Sequence, residues 1–351
     1  MTSAPTIATP TQHPAVERIR TLWPAWGWSL VGTLVVLVAV IGVSGGSPLQ
    51  PLSHALTLVP YLVLVAIGQM LVITLGPGNI DVSVGTNVSM ASYASVAVGA
   101  AAGPGAGLAA AVGAGLAAAA CSVIAILVLR IPPIIATLAT SLIVSSATLM
   151  LADANRSGAP AELRSFVNAR VLGVPLTAVL VAILTVAVVI VLRRTRFGLA
   201  VVATGQNSVA AAKAGLPTRT VTGVTYLISG ALAGLAGGLL AAFISPSTSL
   251  GTSYLLDSVA VVVIGGTLIA GGRPVPVGVW TGALFFVLLS GLLNLLGLSV
   301  GAQNILKGLL VVLVVVISSA ATGTGRSTVR RLRASLTLPG TTTKQRNNTD
   351  G

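Results

Sequence analysis

Residues 21–80 contain no Asp, Glu, Lys or Arg and have the sequence TLWPAWGWSLVGTLVVLVAVIGVSGGSPLQPLSHALTLVPYLVLVAIGQMLVITLGPGNI. Residues 82–129, beyond Asp81, form a second stretch without charge. A transmembrane helix needs about 20 mostly apolar residues, so each stretch can hold two or more such helices. The stretches are continuously apolar instead of alternating, which favours helices over barrel strands. The sequence therefore predicts an all-α polytopic membrane protein.

The composition of the whole chain supports the same class. Hydrophobic residues make up 54% of the 351 residues and charged residues only 7%, whereas soluble domains carry roughly 25% charged residues. So few charges exclude a soluble enzyme, a disordered chain and a secreted disulfide scaffold. The net charge of +13 comes from loops and tails beside apolar stretches, which indicates orientation signals and no nucleic-acid partner.

Glycines and prolines divide the apolar stretches into ten predicted transmembrane helices. Eight remains the alternative count, because 86–102 is rich in small residues and 254–270 can instead form a re-entrant segment. We predict an N-terminal tail at 1–28, a transmembrane domain at 29–319 and a basic C-terminal tail at 320–351. The predicted helices are 29–46, 56–76, 86–102, 106–129, 133–152, 174–192, 221–244, 254–270, 275–297 and 302–319.

Positive charge is distributed unevenly between the two sides that ten alternating helices define. With the N-terminus in the cytoplasm, the cytoplasmic segment 193–220 holds five basic residues and no acidic one. The longest segment on the other side, 153–173, has a net charge of only +1. Cytoplasmic loops of membrane proteins carry an excess of Lys and Arg. We therefore predict that both termini are cytoplasmic.

Asp81 lies in the segment 76–85, GPGNIDVSVG, between two apolar helices. Irregular backbone at membrane depth must be buried in protein or line a cavity. One hypothesis is a broken helix that lines a transport path with Asn79, Asp81 and Ser83. The alternative is an ordinary short loop in which Asp81 or Ser83 caps the next helix.

Hydroxyl side chains recur at helical spacing on the fifth predicted helix, at Thr137, Ser141, Ser145 and Thr148. Such hydroxyls can bond carbonyls one turn earlier or neighbouring helices. They can also line a path for a sugar, which needs many neutral hydrogen-bond partners. The sequence leaves both interpretations open.

Two further segments contain candidate functional residues. The segment 193–219 contains a short Ala-rich helix at about 207–214, and is either a solvated positive loop or a docking helix for a cytoplasmic partner. The segment 251–273 places Tyr254 and Asp257 at the start of an apolar helix, and its glycine pairs permit close helix packing.

Together the three segments resemble the permease subunit of ribose-type ABC importers, in order and spacing, over roughly 56–319. The motifs that carry the resemblance are Asn79–Gly85 (NIDVSVG), Thr195–Gly198 (TRFG), Ala203–Asn207 (ATGQN), Ala210–Gly215 (AAAKAG), Tyr254–Asp257 (YLLD), Ile264–Thr267 (IGGT) and Ala270–Gly272 (AGG).

The resemblance implies a multi-pass transport subunit of the bacterial inner membrane, not itself an enzyme, with no cofactor and no metal. Its implied partners are a cytoplasmic ABC ATPase, an extracytoplasmic sugar-binding protein and a second permease subunit, identical or paralogous. The substrate would be a monosaccharide or a related polyol or signalling sugar, and Tyr254 and Asp257 join the path candidates.

The resemblance also implies that the segment 193–220 docks the ATPase. The candidate residues there are Arg196, Phe197, Gly198, Gly205, Gln206, Asn207, Ala211, Lys213 and Gly215. A secondary transporter or channel for a small neutral solute is the alternative function, although a secondary transporter usually needs ionisable coupling groups deep in the membrane.

Overall fold

The computed structural model describes residues 24–45, 49–155 and 157–321. Most of the predicted tail 1–28 and nearly all of the tail 320–351 lie outside the described residues. The chain divides into two compact units, one up to Gln303 and the other from Asn304 onward.

Helices dominate the described residues, with one short β-hairpin. In chain order the elements are α1 (Gly27–Ser44), α2 (Leu49–Thr74), α3 (Val84–Ala102), α4 (Pro104–Leu127), α5 (Pro133–Ala154), α6 (Ala161–Asn168), β1 (Arg170–Val171), β2 (Val174–Pro175), α7 (Leu176–Arg194), α8 (Arg196–Gln206), α9 (Ser208–Lys213), α10 (Thr218–Phe243), α11 (Thr252–Ile264), α12 (Pro276–Leu295) and α13 (Val300–Ala321).

A helix overlaps each of the ten predicted ranges, and the all-α polytopic class is confirmed. Seven helices of the described part are long and apolar enough to cross a membrane, namely α1, α2, α4, α5, α7, α10 and α12. α11 spans only 13 residues, and α3 carries buried polar residues such as Asn87 and Ser92. The count of ten membrane crossings and the cytoplasmic location of both termini therefore stay predictions.

The structure differs from the predicted elements in several places. α2 begins at Leu49, seven residues before the predicted start at 56. The helix predicted at 254–270 ends at Ile264, because Gly266 (φ 92°) adopts a left-handed backbone that only glycine takes without strain. The segment 153–173, expected to be a loop, contains α6 and β1, and the first two residues of the helix predicted at 174–192 form β2. α8 was not predicted, although Thr195 caps it by accepting a hydrogen bond from the Gly198 N–H at 3.2 Å.

Two helices, α2 and α10, form the centre of the first unit and are largely buried. α10 packs against α2, α3 and α4, and α12 packs against α1 and α2. The contact between α4 and α10 is made by backbone on backbone, because a Cβ on either Gly115 or Gly230 would overlap the carbonyl oxygen of the other. In a membrane, apolar side chains gain little free energy by moving from lipid into a helix contact. Small residues stabilise such contacts instead, because they let the two backbones pack closely.

We expect Gly115→Ala to lower the melting temperature of the purified chain in detergent. The added methyl group would collide with Gly230, and overpacking of this kind costs about 1–3 kcal/mol. Gly113→Ala is the matched control on the same helix, since a Cβ there meets nothing within 4 Å. Equal melting temperatures for the two variants would contradict this account of the packing.

Candidate transport core and coupling segment

The segment 75–83 runs back into the helix bundle beside the helix that precedes it. The Asp81 Oδ2 atom accepts a hydrogen bond from the Ser229 hydroxyl of α10 at 3.2 Å. Ser229 packs closely on Gly68 of α2, and a Cβ added to Gly68 would lie 2.9 Å from the Ser229 Cα. Gly68 precedes the end of α2 at Thr74 by about 9 Å at the helical rise of 1.5 Å per residue. Asp81 thus lies well inside the bundle, which favours the broken-helix hypothesis over a short surface loop.

The carboxylate of Asp81 is buried, with 2% of its surface exposed, and its partners are hydroxyl and amide groups. Its Oδ1 atom accepts hydrogen bonds from the Ser83 N–H at 3.0 Å and from the Ser83 hydroxyl at 2.6 Å. Ser83 precedes α3 without making a side-chain cap of its own. Together with the Ser229 bond, these contacts offset the cost of burying a carboxylate, and they tie the start of α3 to α10.

A second side chain of α10 and one of α5 hold the rest of the segment. The Tyr226 hydroxyl of α10 donates to the Asn79 Oδ1 atom at 3.3 Å. The Thr137 hydroxyl of α5 accepts a hydrogen bond from the Val82 N–H at 3.1 Å. The segment forms neither a helix nor a strand, so its polar groups, such as the Val82 N–H, hydrogen-bond to side chains of neighbouring helices. Buried backbone groups need such partners. Asn79 is half-buried, whereas Asp81, Ser83 and Thr137 are buried.

The four hydroxyls of α5 fall into two groups. Thr137 and Thr148 are buried and donate to carbonyls one turn earlier, Thr148 to the Val144 oxygen at 2.7 Å. Ser141 is half-buried and accepts a hydrogen bond from Thr86 of α3 at 3.4 Å, and Ser145 is exposed. Only Ser141 and Ser145 of this stripe are accessible from outside the chain.

The start of α11 lies against the start of α3. The Gly251 N–H donates to the Ser89 hydroxyl at 2.9 Å, and a Cβ on Gly85 would lie 2.6 Å from the Gly251 oxygen. Tyr254 and Asp257, both half-buried, follow within two turns. The structure thus brings these two candidates close to the start of α3, which follows the segment 75–83.

The candidate docking residues of α8 and α9 divide into an exposed and a buried set. Phe197 is half-buried and packs on an apolar cluster that includes Val201 and Tyr226. Asn207 caps α9 by accepting a hydrogen bond from the Ala210 N–H at 3.0 Å. The exposed residues are Arg196, Gln206, Asn207, Lys213 and Gly215, and the buried ones are Gly198, Gly205 and Ala211.

The end of α8 is joined to the end of α2 by what we term the glycine junction, formed by Thr74, Gly76, Gly205, Gly271 and Gly272. The Gly272 N–H donates to the Thr74 oxygen at 2.9 Å. A Cβ on Gly205 would overlap that oxygen and lie 2.5 Å from the Gly272 nitrogen. Gly205 is therefore an internal packing residue, and the junction connects the proposed docking segment to the start of the segment 75–83.

Sequence reasoning missed four residues of these sites. Tyr226 and Ser229 of α10 bind the segment 75–83, and their spacing of three places them on one face of the helix. Leu199 and Val209 are 60% and 64% exposed on α8 and α9. Within 24–45, 49–155 and 157–321, no three His, Cys, Asp or Glu side chains come together as metal ligands would.

Comparison with curated proteins finds sugar-import permeases. The ribose import permease protein RbsC of Bacillus subtilis is 34% identical over 184 residues, which are 51% of this chain and 57% of the relative. RbsC of Escherichia coli K12 is 37% identical over 151 residues, 43% of this chain and 47% of the relative. The galactose/methyl galactoside import permease protein MglC of Haemophilus influenzae is 36% identical over 139 residues, 39% of this chain and 41% of the relative.

These similarities confirm the resemblance to ribose-type permeases, and the chain spans about half the length of the curated relatives that it matches. No solved structure is significantly similar to it. The sequence profile of one family, described as "Branched-chain amino acid transport system / permease component", matches residues 52–316. Because this match covers more than half of the chain, the chain belongs to that family of transport permease components.

Proposed function

We propose that the chain is the membrane permease subunit of an ABC importer for a monosaccharide or a related polyol. The observation that carries this proposal is the pair α8–α9, whose outer side is exposed and whose inner side joins the end of α2 through the glycine junction. A cytoplasmic ATPase that binds the exposed side of α8 and α9 would displace the segment 75–83 through the glycine junction. The import of ribose and galactose named for the relatives supports the choice of a monosaccharide.

The proposed docking surface consists of the exposed side chains of α8 and α9. Leu199 and Val209 are large apolar side chains open to solvent, and Arg196 and Lys213 add positive charge beside them. An apolar centre with a charged rim is typical of protein–protein interfaces. The partner is a separate ABC ATPase, and an extracytoplasmic binding protein delivers the sugar to the opposite side of the membrane.

The proposed transport path is lined by the candidates that retain access to its surface. Asn79, Ser141, Ser145, Tyr254 and Asp257 are half-buried or exposed, and their amide, hydroxyl and carboxylate groups are suited to a hydroxylated solute. The buried candidates Asp81, Ser83, Thr137 and Thr148 position the helices that carry the path. A second permease subunit, identical or paralogous, would close the path from its other side.

The proposed topology places ten crossings between two cytoplasmic termini, with α6 outside. We expect Ser157→Cys to react with a membrane-impermeant thiol reagent added to intact cells, and Ser208→Cys to react only after the membrane is opened. Both positions are exposed. Both variants carry Cys121→Ser, which removes the single cysteine of the sequence. Labelling of Ser208→Cys alone in intact cells would invert the proposed orientation.

The docking surface predicts that Val209→Asp weakens binding of the partner ATPase. A carboxylate at the centre of an apolar contact loses hydration without gaining a partner, and loss of a central contact residue costs about 2 kcal/mol or more. Co-purification of the ATPase with the permease should fall at least about tenfold. Leu172→Asp is the control, because Leu172 is 98% exposed in the hairpin. An equal loss in both variants would refute this surface.

The bond between Asp81 and Ser229 predicts energetic coupling between the two positions. Asp81→Asn and Ser229→Ala should each slow ATP-dependent uptake in vesicles, and the double variant should be less impaired than the sum of the single losses by about 0.5–3 kcal/mol. Asp81→Asn with Thr148→Ala is the control pair, since Thr148 bonds its own helix. Uptake that survives without ATP, or strict additivity of the first pair, would count against the proposal.

A further inference from the structure

An apolar groove with a cavity volume of about 520 Å³ opens between α2, α7 and α12. Its floor and walls include Leu56 of α2, Ala178, Ile183 and Val186 of α7, and Trp280 of α12. The groove belongs neither to the proposed transport path nor to the coupling segment. It is therefore a separate feature of the molecule.

The groove faces outward and offers a ligand hydrocarbon and aromatic surface. Ile183 and Val186 at its edge are 61% and 59% exposed. The Trp280 indole N–H already has a partner within the protein, because it donates to the Thr185 hydroxyl at 2.8 Å. In a membrane protein such a surface meets the acyl region of the bilayer, so its natural occupant is an acyl chain.

The length of the groove is comparable to the thickness of one leaflet. The part of α7 that lines it, from Ala178 to Val186, rises about 12 Å at 1.5 Å per residue. Half of the hydrocarbon core of a bilayer is about 15 Å thick. An acyl chain can therefore lie along the groove over most of the depth of one leaflet.

A cation lies at the hairpin end of the groove, where a lipid headgroup would be. Arg170 lies in β1 opposite Pro175, and its side chain reaches Ser53 of α2, one turn before the groove residue Leu56. Its Nη1 donates to the Ser53 hydroxyl at 2.9 Å and to the Gly173 oxygen at 3.3 Å, which holds the guanidinium in place. In the described part of the chain both of these bonds leave from Nη1, and a guanidinium has five N–H donors.

We propose that this groove binds one anionic phospholipid, with an acyl chain along α7 and the headgroup phosphate on Arg170. Arginine is suited to this role, since its planar fork matches a phosphate in a bidentate arrangement. The site would lie in the leaflet on the side of α6 and the hairpin.

Native mass spectrometry of the full-length permease, delipidated in detergent and titrated with phosphatidylglycerol or phosphatidylcholine, tests the proposal. We expect one phosphatidylglycerol to be retained in preference to phosphatidylcholine. Arg170→Gln should lower this retention about fivefold, as expected for one cation near a membrane surface, and Arg170→Lys should lower it less. Ala182→Trp, which fills the groove, should also lower it, whereas Ala187→Trp, elsewhere on α7, should not.

Three results would overturn the proposal. Equal retention of the two lipids in wild type and in Arg170→Gln would mean that lipids contact the chain without a headgroup site. Unchanged retention in Ala182→Trp would place the acyl chain elsewhere. Disulfide-linked dimers of an Ile183→Cys variant in membranes, in a Cys121→Ser background, would assign the groove to a contact between two copies of the chain.

Discussion

Irregular backbone inside a membrane protein must find every hydrogen-bond partner within the protein, and this constraint shapes the centre of the molecule. The segment 75–83 leaves α2 and runs back beside it, so the polar groups of its buried part have no partners in a regular helix. Thr137, Tyr226 and Ser229 supply the partners. Three helices, α3, α5 and α10, are thereby fixed around one short segment.

Close helix packing is the second requirement, because side chains can reach the segment only if the helices approach within backbone contact. Glycines on α3, α4 and α10 meet this requirement. Asn87 of α3 illustrates the result, since its amide nitrogen reaches the Gly115 oxygen at 3.3 Å across a contact that a larger residue would prevent. The glycines that first marked helix breaks in the sequence thus include several that sit inside helix contacts.

Sequence patterns predicted the helices well where long apolar stretches and glycine or proline breaks coincide, as in α4, α5 and α12. They failed for α8, because its residues 196–206 follow two arginines, begin with a third and are too mixed to be recognised as either a span or a loop. They failed also for the end of α11, where Gly265 and Gly266 close the helix before the apolar stretch ends. A local sequence pattern gives the composition and the hydrophobic periodicity of a segment, but not the tertiary contacts that decide where a helix ends.

The candidate site was predictable only in part, for the same reason. Asp81 was recognisable as a lone acid among glycines, but its partner Ser229 lies 148 residues away and was found only through the packing of α2 on α10. Gly205 matched a motif, yet the sequence could not distinguish a docking residue from one buried against the Thr74 oxygen. Long-range contacts decide which members of a motif face a partner and which face the protein itself.

The two ends of the segment 75–83 are held by different kinds of contact, and this difference bears on the proposed coupling. At Gly76 the contact is backbone against the backbone of Gly205 and Gly271, which has no rotamers to absorb a displacement. At Asp81 the contact is a set of hydrogen bonds to the serines at 83 and 229, whose hydroxyls can rotate. Under the proposed function, a displacement of α8 would therefore reach the segment undiminished at Gly76 and be accommodated by exchange of hydroxyl bonds at Asp81.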